Sequence, residues 1–499
     1  MKIIRTHEAD PEAYTPFERE MIYNGLDVCV TRDCLDAMLP QLDEYTEKTY
    51  EFSKALQGPT LEMRIRGVLV DQARKVEVID EYYAIMETLE AQLERIVLDG
   101  VGLPSFNWRS HRDLHKLFYD TFGLPTVRKA GRPTTDRGAR EKLGIYPIAE
   151  QIIKHINTLT ELGDKISVLK TDLDADGRIR TSYNIAGTST GRFSSSFSEF
   201  GTGGNLQNIE ESLRSIFIAD HGYKFAKCDA KSGESFAVGG IEWNNFHDGR
   251  YLDMCETGDP HTAIARVCWP NDPWTGDIKQ DAKLAGAPFY RHHSKRQTTK
   301  KVGHASNYAG KPNTIATQTG MPLELIKNFQ PIYFKTFPAH EMWHDLVDNN
   351  LRKQGYLISL TGRKRWFFGR RGDADTLRGA IAFDPQCSLA DIVNTAMLNI
   401  WRKGYVIISM HEHDALTFMY PEKDEDKIIP QLLNDLVVPI QLAHGRILRI
   451  PYDCKVGWNK GEYDATKNPN GLKDYHGTDE RKRQKEAGLL DRIVRRANR

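Results

Sequence analysis

Two aspartates and a four-residue rhythm mark where chemistry could concentrate in this 499-residue chain. Asp229 closes the apolar run Lys224-Phe-Ala-Lys-Cys-Asp and is followed by small residues, so its carboxylate is expected at a strand end. Asp414 lies 185 residues further on, at the tip of a predicted hairpin. A lone strand-end acid usually does no more than cap a turn. Hairpin tips on one sheet, however, can bring two carboxylates together, and such a pair repels by about 4 kcal/mol at 4 Å and an effective dielectric near 20. A divalent cation removes that penalty, and two such ions can clamp both the attacking and the leaving oxygen of a phosphoryl transfer. The rhythm is Arg296, Lys300, His304, Tyr308. On an α-helix each four-residue step turns about 400°, a drift of only about 40°, so the four side chains share one stripe. Arg and Lys one turn apart offer a bidentate donor and a point charge to a triphosphate. The two rings beyond them could stack on a sugar and a base. The competing explanation is an exposed basic stripe that happens to end in aromatics.

The elements that must position these groups follow from patterning. Residues 11–56 read as helical. From about 57 to 180 amphipathic helices dominate, as in Val76–Leu98 and Pro147–Leu169, with loops at Gly100–Pro104 and Lys129–Thr135. Residues 184–212 are a Ser/Gly/Thr-rich loop, longer than a simple connection needs. SIFIAD and KFAKCDA are expected as short strands around a turn at His221–Gly222. Residues 283–353 return to helix, and GYLISLTGRKRWFFG reads as a hairpin turning at Thr361–Gly362. Residues 386–402 are expected as a helix, GYVIISM-HEHD-ALTFMYP as another hairpin, and 479–497 as a helix in a polar tail. The pattern is α+β and does not alternate βαβ, which argues against a doubly wound nucleotide fold.

Composition narrows the class. Apolar residues make up 40% and charged residues 27%, an ordinary globular mixture too long for a single core. No stretch approaches the roughly 18 uncharged apolar residues of a spanning helix, so no membrane partner is expected. Seven cysteines without a C-x-x-C suit a reduced cytoplasm. Net charge is zero but uneven: residues 1–60 hold twelve acids and six bases, whereas 291–304 and 361–371 each carry five Lys or Arg and no acid. Local basic surface on a neutral chain suits one polyanion-binding groove.

Over about residues 55–462 the chain resembles family A DNA polymerases, the bacterial polymerase I group with its phage relatives. Thr190-Gly191-Arg192 followed by Asn205-Leu206-Gln207-Asn208-Ile209 is similar to the family's TGR…NLQNI segment. Asp229 and Glu234 match motif A, Arg296-x3-Lys300-x7-Tyr308 matches motif B, and His413-Asp414 looks like motif C. Gly355-Tyr356 with Thr361-Gly362-Arg363-Lys364-Arg365 is similar to the GY…GRRR hairpin, and Arg378 and Gln386 hold the spacing of minor-groove-facing residues.

The resemblance implies a right-hand polymerase with an antiparallel palm sheet and helical fingers and thumb. It implies Asp229 and Asp414 as ligands of two Mg²⁺ ions, Mn²⁺ being a substitute. Arg296 and Lys300 would bind triphosphate, with Lys300 a candidate acid for the leaving group. His304 and Tyr308 would lie along the nucleotide, and Glu234 would block a ribose 2′-hydroxyl. Arg192, Gln207, Asn208, Arg363, Arg365, Arg378, Gln386 and His413 would hold DNA. Partners are then primer-template DNA and dNTPs, and the setting is DNA replication in a cytoplasm, the host's if the origin is phage. Four departures stand out: His304 stands where the family usually has Phe or Tyr, and Ala415 replaces the Glu after His-Asp, Ala230 an aromatic, and Ala382 an Asn.

Domain limits follow: 1–51 a remnant of a 3′–5′ exonuclease domain, 52–185 thumb, 186–240 palm, 241–349 fingers, 350–462 palm, and 463–499 a basic tail. Tyr23-x3-Asp27 looks like the last exonuclease motif, which suggests that a separate polypeptide supplies the rest and docks on the acidic first sixty residues. His411 with His413, His292–His293, and the Asp-Pro-His at 259–261 are weaker candidates, more often structural. Two competing functions remain: a single-subunit RNA polymerase, against which Glu234 argues, and a noncatalytic primer-template binding factor, against which the retained acids and bases argue.

Overall fold

The computed structural model describes residues 13–103, 105–198, 201–370 and 372–476, so the tail helix expected at 479–497 lies outside the described residues. Two capped helices come first. In α1 (Pro16–Met38) Thr15 and Glu18 satisfy each other's backbone N–H, and Asp43 and Thr46 do the same for α2 (Glu44–Arg66). Helix α1 buries none of its residues and leaves Phe17, Met21, Tyr23 and Val28 in solvent. Helices α3 (Gln72–Arg95) and α4 (Pro147–Leu169) follow. They share an apolar core of their own with Met86, Leu93, Phe118, Ile152, Ile156 and Leu159, separate from the main one.

The remaining elements build the site. They are β1 (Tyr223–Ala230), α5 (Gly233–Phe246), α6 (Pro260–Cys268), α7 (Lys295–Thr298), α8 (His304–Asn307), α9 (Leu323–Thr336) and α10 (Ala339–Gln354). Then come the hairpin β2 (Tyr356–Ile358) and β3 (Lys364–Trp366), the long helix α11 (Ala374–Lys403), β4 (Ile407–Glu412), β5 (Ala415–Pro421), β6 (Tyr452–Gly457) and β7 (Lys473–Asp474). One antiparallel sheet runs in the order β4-β5-β1-β6-β7. Strand β5, between β4 and β1, is buried along almost its whole length, as its largely apolar run Ala-Leu-Thr-Phe-Met-Tyr requires. Helix α11 packs against it and against α5. Gly233 permits that approach, since a Cβ there would lie 2.5 Å from Leu389 Cδ1.

SIFIAD and KFAKCDA form strands around the predicted turn, in two sheets: Phe217–Ile218 pairs with Val68–Val70, whereas β1 joins the main sheet. Two expectations change. The helical stretch 283–353 is interrupted by a strand pair, Pro288–Tyr290 with His293–Ser294. The Arg296–Tyr308 stripe is not one regular α-helix, because Thr299–Gly303 is a π turn between α7 and α8. A four-residue sequence rhythm does not distinguish the two kinds of turn, and single π turns recur at functional sites.

Asp384 of α11 offers a check on this packing. Its carboxylate accepts from the Leu360 N–H at 2.7 Å and from Ser388 Oγ at 2.9 Å, tying α11 to the β2–β3 hairpin. Burial nevertheless pushes its pKa up to about 6 from an ordinary 3.8, against the pull of those two donors. Because the folded value is raised, the group's contribution to stability is greatest below pH 3.8 and is lost as pH rises through about 6. Two units correspond to no more than roughly 3 kcal/mol. Asp384→Asn keeps an acceptor without the charge, so thermal melts are expected to show a gain at pH 8, little change near pH 4, and a smaller difference between the two pH values than in the parent chain.

Candidate active site

Asp229 is the penultimate residue of β1 and lies opposite both Ala415 on β5 and Asp453 on β6. Asp414 immediately precedes β5, and its carbonyl accepts from the Ala230 N–H at 3.1 Å. The two acids are therefore neighbours at one end of the sheet. Asp414 sits in a two-residue turn whose other member, His413, takes a left-handed conformation at φ 59°, as such tight turns demand. Burial pushes the Asp229 carboxyl upward; Lys227 opposes this, and Asp414, Glu412 and Asp453 add to it. Burial also raises Asp414, with Arg192 pulling it down and Glu234 pushing it up.

Glu234, in the first turn of α5, gathers the next layer. One oxygen accepts from Arg192 Nη2 at 2.5 Å, and that same nitrogen reaches Asp414 Oδ1 at 3.1 Å. The other oxygen accepts the Tyr308 hydroxyl proton and lies 3.6 Å from His304 Nε2. His304 and Tyr308 meet edge to face with ring centres 5.1 Å apart. Thus the site's first acid layer is cross-linked to motif-B aromatics through one carboxylate.

The basic ridge lies beside it. Arg296 makes a two-point contact with Asp259, at 3.0 and 3.3 Å, and Asp259 also caps α6 by accepting from Thr262. Against a burial that would raise it, Arg296 and Thr262 hold the Asp259 carboxyl below its usual value. Lys300 is exposed in the π turn. The ridge also contains His261, which the sequence reading set aside as structural. Burial, then the charge of Arg296, lowers its pKa to about 4, and its buried Nδ1 has no hydrogen-bond partner. The Asp-Pro-His stretch was the visible signal; what it lacked was any link to a helix thirty-odd residues later.

Of the residues expected on DNA, His413 Nε2 lies 3.2 Å from Asn208 Oδ1 beside the acid pair. Arg378 is exposed on α11, paired with Asp375, and Gln386 is half-buried two turns further along. Gln207 is buried with an unpartnered Nε2. Two of the arginines expected on DNA make ion pairs within the chain. Arg192 spans Glu234 and Asp414, and Arg363 pairs with Asp391 of α11 at 2.6 Å in a largely buried contact. Arg365 lies over the ring of Phe367, 4.4 Å from its centre. Tyr23 and Asp27 stand exposed on α1 and join no acid cluster among the described residues.

The histidine pairs separate. His411 is buried, stacked on Phe193 at 4.4 Å and 2.9 Å from Asn394 Oδ1, so it does not share a site with His413. His292 and His293 touch each other near the short strand pair. The carboxylate absent at Ala415 has a neighbour in Glu412, also missed from sequence. Glu412 is engaged by the buried Lys460, by the Thr417 hydroxyl at 2.7 Å and by Lys227 at 3.8 Å.

Among known proteins, the model of the family described as DNA polymerase family A matches residues 76–234 and 283–462. The thermostable DNA polymerase I of Thermus filiformis is 24% identical over 463 residues, 86% of this chain and 50% of its own length. DNA polymerase I of Chloroflexus aurantiacus is 25% identical over 466 residues, covering 86% and 46%. The chain thus spans about half the length of these relatives. Among solved structures, the POL domain of Pol1 from M. smegmatis, in complex with DNA primer-template and dNTP, superposes with a TM-score of 0.65 at 21% identity, covering 81% of this chain and 69% of that one.

Proposed function

The chain belongs to DNA polymerase family A, and from that premise we propose that it extends a primer 3′-hydroxyl with deoxynucleoside triphosphates under the direction of a template strand. The observation that carries this reading is the meeting of Asp229 and Asp414 at one sheet end, next to a Glu234 that already holds Arg192 and Tyr308. Two carboxylates raised by burial and by neighbouring acids form an all-oxygen donor set suited to a hard cation such as Mg²⁺, with Mn²⁺ as a substitute. Bound there, two ions would neutralise charge on the reacting phosphate and the departing pyrophosphate.

The chain's own residues supply the rest. Arg296, oriented by Asp259, and the exposed Lys300 receive the triphosphate, and Lys300 is the group able to give a proton to the leaving pyrophosphate. Glu234 and the Tyr308 hydroxyl occupy the space that a ribose 2′-hydroxyl needs. Asn208 and His413 meet the primer end at the minor groove, where acceptors differ little between base pairs and pair shape can be tested without reading sequence. Positioning and charge stabilisation then account for most of the rate. In this reading residues 52–185 act as thumb, 241–349 as fingers, and 186–240 with 350–462 as palm. Its setting is DNA replication; the relatives named above are bacterial, and a viral origin has only the divergent motifs in its favour.

The test is primer extension with the purified chain and Mg²⁺, each dNTP alone and all four together. Only the template-complementary dNTP should be added singly, and rNTPs should be used poorly. Primer-template affinity should fall linearly with the logarithm of salt, with a slope of about −0.9 for each phosphate neutralised. Preference for rNTPs would turn the reading to an RNA polymerase, and tight binding without extension to a noncatalytic binding factor.

A further inference from the structure

Behind Tyr308 lies a buried polar chain that no step above uses. Glu242 of α5 and His340 of α10 are 1% and 0% exposed and in hydrogen-bond contact through His340 Nδ1. His340 Nε2 lies 3.1 Å from the Tyr333 hydroxyl oxygen on α9, and that hydroxyl donates to Asn307 Oδ1 at 2.6 Å. Asn307 Nδ2 in turn donates to the Tyr251 hydroxyl at 2.9 Å, and the Asn307 carbonyl accepts from His344 Nε2 at 2.8 Å. Proton accounting is tight. Since the Tyr333 proton is committed to Asn307, its oxygen can only accept from His340, so Nε2 carries a hydrogen. A single further proton is shared between His340 Nδ1 and Glu242, whose second oxygen is buried without a partner.

The location gives this chain its meaning. Asn307 is the last residue of α8, a single helical turn that follows a π turn, and it directly precedes Tyr308. The backbone then leaves helical geometry, with Ala309 at φ 54°. Neither a continuing helix nor a regular one behind it therefore fixes Tyr308, and lateral ties must do so. Two of them end on α5: Tyr308 to Glu234 directly, and Asn307 through Tyr333 and His340 to Glu242; Tyr251 and His344 hold Asn307 as well, and Gln330 holds the Gly310 carbonyl. Eight residues separate the two acids, about 12 Å along the helix.

We propose that Glu242, His340, Tyr333 and Asn307 form a positioning strut that sets Tyr308 against Glu234 and thereby tunes deoxyribose selection and dNTP affinity. The inference rests on the reading that these two residues line the sugar pocket. Its alternative is a polar network that merely stabilises the packing of α5, α9 and α10.

Tyr333→Phe removes one hydroxyl and little volume, and Glu242→Gln keeps the shape while removing the charge. Wild type must first extend primers; if it does not, the polymerase reading falls and takes the strut with it. Given extension, each variant is expected to raise KM for dNTP about tenfold, the effect of one lost hydrogen bond of about 1.4 kcal/mol, while kcat changes less than about threefold. The preference for dNTP over rNTP should drop by a similar factor. Adding Tyr308→Phe should bring little further change in that preference, because both changes act through one contact. Lower melting temperatures with KM and sugar preference within about twofold of wild type, in both variants, would overturn the strut. Should Tyr333→Phe fail to fold, Glu242→Gln decides by the same two readouts.

Discussion

Asp229→Asn and Asp414→Asn are each expected to reduce primer extension by about 10³-fold or more while leaving primer-template binding within about threefold of wild type. Asparagine preserves volume and one oxygen but cannot carry the charge that balances a divalent cation. A metal's stabilisation of developing phosphate charge is worth several kcal/mol, and each 1.36 kcal/mol is a factor of ten. DNA affinity should rest instead on cations elsewhere, such as the exposed Arg378. Stability should not suffer either. Burial already disfavours the ionised form of both aspartates, so a neutral isostere relieves a cost and the melting temperature should hold or rise. Steady-state extension rates beside a fluorescence-anisotropy binding curve separate the two effects. A variant that keeps more than a tenth of the activity would remove that aspartate from the reaction.

How much of this site could be read from sequence depends on the range over which each feature is encoded. The β4–β5 hairpin was legible because two apolar runs flank a polar tetrad, and the strand ending at Asp229 because an apolar run stops there. Both are local patterns, and sheet pairing then made neighbours of residues 185 positions apart. Ion-pair partners were not legible. Arg192 reaches Asp414 across 222 positions and Glu242 reaches His340 across 98, distances over which no periodicity carries information. The arginines at 192 and 363 were marked as important by their motif settings, but spacing could not show the carboxylates with which each pairs. The π turn escaped for another reason: a rhythm of four fits either kind of helix. Helix α1 is the converse case, a sequence with sound caps and helical residues whose lack of packing only the structure reveals.

Arg192→Met is expected to cost about a hundredfold in kcat and to lower the melting temperature by a few degrees. One guanidinium nitrogen is shared by Glu234 and Asp414, and the side chain is only 21% exposed. Without it, two carboxylates in a poorly hydrated site keep, among the described residues, only the Tyr308 hydroxyl and the weaker His304 contact between them. Stripping one partner from a fully buried pair costs about 3–5 kcal/mol; partial exposure here brings that down to roughly 2 kcal/mol. Activity should fall further than stability, because Asp414 loses its orienting donor and Glu234 is freed to turn away from Tyr308. Arg192→Lys should recover little, since a strongly hydrated ammonium on a flexible stem is a poor substitute for a planar guanidinium that holds one nitrogen between two acids. A second change separates the two losses. Arg192→Met with Glu234→Gln removes the repulsion and should return the melting temperature to near the parent value, yet kcat should stay low because Asp414 remains untethered. Thermal melts and single-turnover extension on the four proteins form a double-mutant cycle; if the two substitutions prove additive in stability, the arginine does not bridge the acids in solution.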